Sequence, residues 1–106
     1  MKDMHVLLIQ IYTELLPAIR DVAKQHGYAI AVHGSLRRDF DLIAVPWVDD
    51  ISDEETLLFA IMDTIKLNKS WKDHALNTLE KKPRGRTAYQ IMLGAGMYID
   101  LSIYIK

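Results

Sequence analysis

The chain has 106 residues, half of them hydrophobic and a quarter charged, with a net charge of −1 and no cysteine. This length suits one domain with a single core, and the near-neutral charge excludes a uniformly basic protein that coats nucleic acid. Without cysteine there are no disulfides, thiolate zinc sites or iron–sulfur clusters. No apolar run reaches the roughly 18 residues of a membrane span, and no secretory signal pattern is present, so we expect a cytoplasmic protein with no membrane partner.

The first segment predicts a helix. Apolar residues recur every three or four positions from about residue 3 to residue 26, which gives one apolar stripe. Gly27 stands where a helix commonly ends in the left-handed conformation. Pro17 lacks a backbone N–H and crowds the preceding turn, so it predicts a kink or two helical pieces. The apolar run 7–11 also fits a strand, and that alternative stays open.

Two strands are predicted next, at residues 28–33 and 42–47. The second is nearly all apolar, which indicates burial on both faces and an interior place in a sheet. The short link between the strands favours an antiparallel hairpin over a helical crossover. Pro46 has no N–H to donate, so it predicts where the strand pairing ends.

Two helices follow in the prediction. Residues 52–55 (SDEE) fit a capping box with Ser52 as the N-cap, and the apolar spacing continues to about Ile65. Ser70 is predicted to cap another helix. That helix should end at or before Lys82, because the residue before Pro83 is disfavoured in helical geometry.

The last third predicts a turn and a hairpin. Residues 82–85 (KPRG) match a turn with proline second and glycine fourth. Alternating apolar residues at 87–93 and 97–105 predict two strands joined by a loop at 94–96. The fold class expected from this order of elements is α+β, a small mixed sheet with helices on one face.

Three aspartates are the candidate metal ligands. Asp39 and Asp41 are spaced i, i+2, so in an extended chain they point to the same side. Asp100 interrupts an apolar strand, on the face opposite its helix-facing residues. If that last strand lies parallel beside residues 42–47, the three carboxylates converge, and such a set of oxygens suits Mg²⁺ or Mn²⁺.

The bend before the acids is a candidate phosphate-binding element. Gly34 permits a close backbone approach, and the Gly34-Ser35 turn can present N–H groups and a hydroxyl to phosphate oxygens. Arg37 and Arg38 follow it and could neutralise charge that develops there. Two cations at a solvated turn are the commoner alternative.

These pieces together are similar to the signature of the DNA polymerase β-type nucleotidyltransferase superfamily: a Gly34-Ser35 turn, an Asp39-x-Asp41 pair before apolar residues, and a later Asp100 between apolar residues. The resemblance implies that the turn contacts the phosphates of an NTP. It also implies that the three acids bind two metal ions and that one acid helps to activate the attacking hydroxyl. The stretch 33–47 further resembles one in short, uncharacterised proteins encoded by tailed phages.

The chain departs from the superfamily pattern in the link between turn and acids. Members usually have a longer, often helical segment there, whereas residues 36–38 alone intervene here. The helical domain that commonly holds the acceptor also has no counterpart, so a partner protein, a homo-oligomer or a small acceptor is expected. The leading hypothesis is a minimal metal-dependent nucleotidyltransferase with an unknown acceptor. The alternatives are an inactive binding or accessory protein of phage type and a structural α+β domain.

Simpler interpretations exist for each charged feature. Asp39 and Asp41 can shape a hairpin turn, because aspartate readily bonds nearby backbone. Asp100 can pair with Arg86 or Lys106 at a sheet surface. His33, next to the bend, is expected to be packed at a strand end.

The four cations Lys81, Lys82, Arg84 and Arg86 form the dense basic cluster of the sequence. One interpretation is contact with a nucleotide or RNA phosphate. The interpretation that we favour from sequence is cations near a helix C-terminus, stabilised by the helix dipole, followed by a solvated turn.

Overall fold

The computed structural model describes residues 4–34, 39–67, 69–94 and 96–104. Among these residues no helix has both the length and the hydropathy needed to cross a membrane. The described residues form the predicted α+β fold, with three helices and five strands: α1 (Met4–Gln25), β1 (Tyr28–His33), β2 (Asp39–Pro46), α2 (Glu54–Thr64), α3 (Lys69–Asn77), β3 (Glu80–Lys82), β4 (Arg86–Gly94) and β5 (Met97–Tyr104).

The strands form one mixed sheet in the order β1-β2-β5-β4-β3. β1 and β2 make the predicted antiparallel hairpin, which ends at Pro46 as expected. β2 pairs in parallel with β5, and β5 pairs antiparallel with β4. The parallel pair has two helices and two strands between its members in the chain, so the sheet brings distant sequence segments together.

The helices lie on one face of the sheet, with α1 packed against β1 and α3 against β4. The Tyr12 ring of α1 stacks on Phe40 of β2, with ring centroids 4.7 Å apart. Every second residue of the strands enters this core, as at Phe40, Leu42, Ala44, Ile99, Leu101 and Ile103.

The prediction that the second strand is buried on both faces is wrong. Its other face is half-buried at Ile43 and 41% exposed at Val45. β2 also begins at Asp39, earlier than predicted, so both of its acids belong to the strand. The reason is that β2 lies inside the sheet but helices cover only one side of it, leaving an open face.

α1 is a single helix that continues through Pro17. The alternatives of two helical pieces and of a strand at 7–11 are therefore wrong. Buried residues lie on both sides of the proline, such as Tyr12 and Ile19, and their burial offsets the one helix hydrogen bond that proline removes. Pro17 itself is exposed, and Gly27 adopts the expected positive φ, at 91°.

The N-cap of α2 is Asp53, not the predicted Ser52. The Asp53 carboxylate accepts the Thr56 backbone N–H at 2.8 Å. A hydrogen bond from the Thr56 hydroxyl, and then this backbone bond, lower the pKa of Asp53. The Ser52 hydroxyl instead lies 2.7 Å from Nδ1 of His26. A contact with the end of α1 thus takes Ser52 away from the cap, and its neighbour replaces it.

Asp53→Ala should lower the melting temperature by roughly 4 °C, because the first turn of α2 loses its side-chain acceptor. Asp53→Asn is the matched control, since it keeps an acceptor oxygen and should melt close to wild type. Thermal unfolding followed by circular dichroism measures both. Equal loss in the two variants would mean that charge, rather than the cap bond, stabilises the helix.

The segment after α2 differs from the prediction in two places. α3 begins at Lys69, so Ser70 lies in its first turn and is not its cap. α3 ends at Asn77, consistent with the predicted end at or before Lys82, and residues 80–82 form a short strand that was not predicted, β3, along β4. The Thr78 hydroxyl accepts the Gln90 N–H at 2.8 Å, which ties the end of α3 to β4 and directs the chain into the sheet. The predicted turn is present at residues 83–85.

Candidate metal centre

The open face of the sheet carries a row of polar residues that crosses four strands. In the strand register, His33 of β1 lies opposite Asp41 of β2, Asp41 lies opposite Asp100 of β5, and Asp100 lies opposite Gln90 of β4. Because side chains alternate along each strand, all four point away from the helices. The parallel arrangement on which the sequence prediction depended is therefore present.

The three predicted acids come together on this face. Asp39, Asp41 and Asp100 each offer a carboxylate oxygen, and these oxygens lie within 4.8 Å of one another. All three side chains are half-buried, so they are accessible to a ligand from the open side. Three oxygens at this spacing can hold a hard divalent cation, which would complete its shell with water or phosphate.

Burial and crowding raise the pKa of two of the acids. Desolvation, and then the charges of Asp39 and Asp100, raise the pKa of Asp41. Desolvation and the charge of Asp39 also raise the pKa of Asp100, opposed by Lys82, His33 and Arg86. No ion pair between described residues involves any of the three acids. A bound cation would relieve this repulsion.

Two tyrosines that the sequence analysis did not single out support the acids. The Tyr98 hydroxyl donates a hydrogen bond to Asp39, and desolvation and the Asp39 charge raise the pKa of Tyr98. The buried Tyr12 hydroxyl is bonded in turn to the backbone of Tyr98. Tyr98 could have been found from sequence, since it precedes Asp100 by two residues and shares its strand face.

Gly34 lies directly against the acids, as the sequence analysis expected of the Gly-Ser bend. Its φ is +80°, and a Cβ built on it would overlap Oδ2 of Asp41. The bend therefore brings bare backbone to the edge of the carboxylate cluster. The other predicted phosphate-binding residues, Ser35, Arg37 and Arg38, lie outside the described residues.

The simpler interpretations of the charged residues change accordingly. Asp39 and Asp41 lie within β2, not in the hairpin turn. Asp100 makes no ion pair with Arg86, and Lys106 lies outside the described residues. His33 is exposed beside the acids, so the expectation of a packed strand end is wrong.

The helix-dipole interpretation of the basic cluster is also wrong. α3 ends at Asn77, and the four cations of the basic cluster lie beyond it, on the β3–β4 hairpin. Lys82 and Arg86 face each other across the two strands. The cluster thus belongs to the sheet.

Asp100→Asn should raise the melting temperature of the metal-free protein at pH 7 by roughly 4 °C, because it removes one of three crowded charges. The wild type should lose stability as the pH rises above the ordinary aspartate pKa of 3.8. Over that range Asp41 and Asp100 keep protons in the folded protein that they have released in the unfolded chain, so the free energy of unfolding falls as the pH rises. The variant should show a smaller fall.

Thermal melts from pH 4 to pH 8 in a chelating buffer measure this difference. A lower melting temperature for Asp100→Asn throughout that range would mean that the carboxylate makes a stabilising contact, and the crowding argument would be wrong.

Comparison with known proteins adds no relative. No protein-family model matches the chain, and a search of curated proteins gives no significant match. The assignment of a function therefore depends on the geometry of the open face.

Proposed function

We propose that the protein is a minimal metal-dependent nucleotidyltransferase, which transfers a nucleotidyl group from an NTP to an acceptor. The observation that supports this most is the meeting of three carboxylates on neighbouring parallel strands, with a glycine bend against one of them. The proposal extends the resemblance of Gly34, Asp39, Asp41 and Asp100 to the polymerase β-type superfamily.

The donor set fits Mg²⁺ or Mn²⁺. Three half-buried carboxylates supply oxygen ligands and negative charge, and desolvation together with their mutual repulsion raises the pKa of Asp41 and of Asp100. When bound, the metal would neutralise phosphate charge and make the attacking hydroxyl more acidic.

The chain's own groups have distinct roles in this proposal. Asp39, held by the Tyr98 hydroxyl, and Asp41 hold the metal from β2, while Asp100 holds it from β5. A carboxylate oxygen of this cluster takes the proton of the acceptor hydroxyl. The hydroxyl oxygen of the acceptor then bonds to the α-phosphorus, and the bond between the α-phosphorus and the pyrophosphate breaks.

The bend supplies room for the phosphates. Gly34 presents backbone without a side chain at the edge of the cluster, and in the proposal it contacts phosphate together with Ser35, Arg37 and Arg38. Positive charge and N–H donors at this place would stabilise the charge that develops on the leaving pyrophosphate.

Calorimetry with the wild-type protein tests the proposal. Mn²⁺ should bind, and ATP should bind more tightly when Mn²⁺ is present. Incubation with an α-labelled NTP and candidate acceptors, both nucleic acid and small hydroxyl compounds, should then transfer the label and release pyrophosphate. If no metal-dependent nucleotide binding occurs at millimolar ligand, the proposal is wrong.

A second candidate is a nucleotide-binding accessory protein of phage type that does not catalyse transfer. The short link favours it: only four residues separate Gly34 from Asp39 in the sequence, fewer than superfamily members usually have, and Gly34 already lies against Asp41. Metal-dependent nucleotide binding without transfer to any acceptor would support this candidate. A partner protein captured with it, or self-association, would then be the functional assembly.

A further inference from the structure

Two cations of the basic cluster share the open face with the acids. Arg86 and Gln90 are four residues apart on β4, so they point to the same side, and Gln90 lies opposite Asp100. Lys82 lies opposite Arg86 on β3. About 13 Å separates the Cα atoms of Arg86 and Gln90 along the strand. Long side chains can shorten the distance between their charged groups.

Side chains cover the sheet between the cations and the acids. Ala88 and Ser102 lie opposite each other on the open face, and they are only 6% and 7% exposed. No described helix lies on this side, so the neighbouring side chains of β3, β4 and β5 must lie over them. Arg86, two residues from Ala88, is half-buried and is one of those neighbours.

One N–H donor of the Arg86 guanidinium has no acceptor among the described residues. Its Nε is shielded from solvent and has no hydrogen-bond partner among the described residues. A buried donor of this kind costs free energy unless an acceptor binds it. Lys82 bonds Glu80 at 3.0 Å, with the two side chains 35% and 65% exposed, and its ammonium group keeps N–H donors for an anion.

Lys82 and Arg86 lie on the same face of the sheet as the acid cluster, because Arg86 shares its strand face with Gln90 and Gln90 lies opposite Asp100. Neither cation makes an ion pair with Asp100. The open face thus carries three acids, suited to a metal, next to a region where the two cations Lys82 and Arg86 outnumber the one acid, Glu80.

We propose that Lys82 and Arg86 form a phosphate subsite that binds the terminal phosphates of the NTP. This inference rests on the proposed function, because the metal at the three acids fixes where the triphosphate begins. The remaining cations of the cluster, Lys81 and Arg84, are exposed and belong to the other side of β3 and to the turn. Two cations on one side make a compact site for a phosphate chain rather than an extended track for RNA.

Binding of inorganic tripolyphosphate, measured by calorimetry with and without Mn²⁺, tests the subsite. Lys82→Gln and Arg86→Gln should each weaken binding by about tenfold or more, since each removes a charge-assisted contact. Lys81→Gln and Arg84→Gln are matched controls, with the same change of charge on the same hairpin, and should bind like wild type. Affinity for Mn²⁺ alone should be unchanged or higher in Lys82→Gln, because a cation near Asp100 is gone.

The outcomes separate the two proposals. Absence of Mn²⁺ binding in the wild type contradicts the metal-dependent function. Weaker metal-free tripolyphosphate binding in both Lys82→Gln and Arg86→Gln, with the two controls unchanged, would still support the subsite. Equal tripolyphosphate affinities in all four variants overturn the subsite even if Mn²⁺ binds. The subsite would also be overturned if Lys82→Gln weakened the binding of a short single-stranded RNA but left the affinity for tripolyphosphate unchanged. That result would assign the cations to RNA binding.

Discussion

Asp41→Asn should lower the affinity for Mn²⁺ by at least about 100-fold, since changes merely behind a metal ligand already cost 10–100-fold. Asp41 is the central acid: Asp39 lies on its own strand, and Asp100 lies opposite it on β5. Asparagine keeps the shape, and its amide can donate to Asp39, which already shares a hydrogen bond with the carboxyl of Asp41. The variant should therefore fold.

Calorimetry with Mn²⁺ and melting temperatures with and without Mn²⁺ measure this effect. At 100 times its Kd, the metal should stabilise the wild type by about 2.7 kcal/mol and Asp41→Asn hardly at all. Asp73→Asn is the control, because Asp73 is an exposed acid of α3 that loses the same charge. If Asp41→Asn and Asp73→Asn bound Mn²⁺ equally well, the acids of the open face would not be its site.

Gly34→Ala should lower Mn²⁺ affinity by about tenfold or more and destabilise the fold by about 2 kcal/mol. The loss of stability has two sources. Alanine is strained at a φ of +80°, and its Cβ would overlap the Asp41 carboxylate. Since the clash is with a proposed ligand, moving that carboxylate away changes the metal site as well as the bend.

Gly96→Ala separates the two sources. Gly96 has nearly the same φ, +77°, but a Cβ there would meet no described atom within 4 Å. It should show the backbone strain without any change in Mn²⁺ affinity. Melting and Mn²⁺ titration of both variants measure the difference. A Gly34→Ala protein with wild-type Mn²⁺ affinity would mean that the bend does not border the site.

Features with a local period could be predicted from sequence. The i, i+2 spacing placed Asp39 and Asp41 on one face, and the alternation around Asp100 placed it opposite the helix-facing residues. These follow from the geometry of an extended chain, which neighbouring residues alone determine. The α+β class was predicted in the same way, from the order in which helical and strand-like spacings of apolar residues follow each other along the chain.

Features that depend on contacts between distant parts of the chain could not be predicted from the sequence. Ser52 and Asp53 are both good cap residues, and the bond of Ser52 to His26 decides between them. β3 has no apolar pattern, because it is a short edge strand that β4 alone holds in place. Because β3 forms, Lys82 lies on the open face of the sheet, whereas the sequence analysis had placed it near the end of a helix.

The meeting of the three acids could be predicted only on the condition that the last strand lies parallel beside β2. Nothing local in the sequence states that β5 runs parallel to β2, or that Asp100 stands opposite Asp41. A shift of one residue in that register would turn Asp100 towards the helices. What fixes the register is the burial of Ile99, Leu101 and Ile103 in the shared core.

The position of β5 has a consequence for biosynthesis. It is the final strand in chain order but the middle one of the sheet, between β2 and β4. While the ribosome is still making it, those two strands have unpaired inner edges, which are prone to join other polypeptides. A nascent chain that has not reached β5 also lacks Asp100, so the three carboxylates of the open face come together only once this strand has been made.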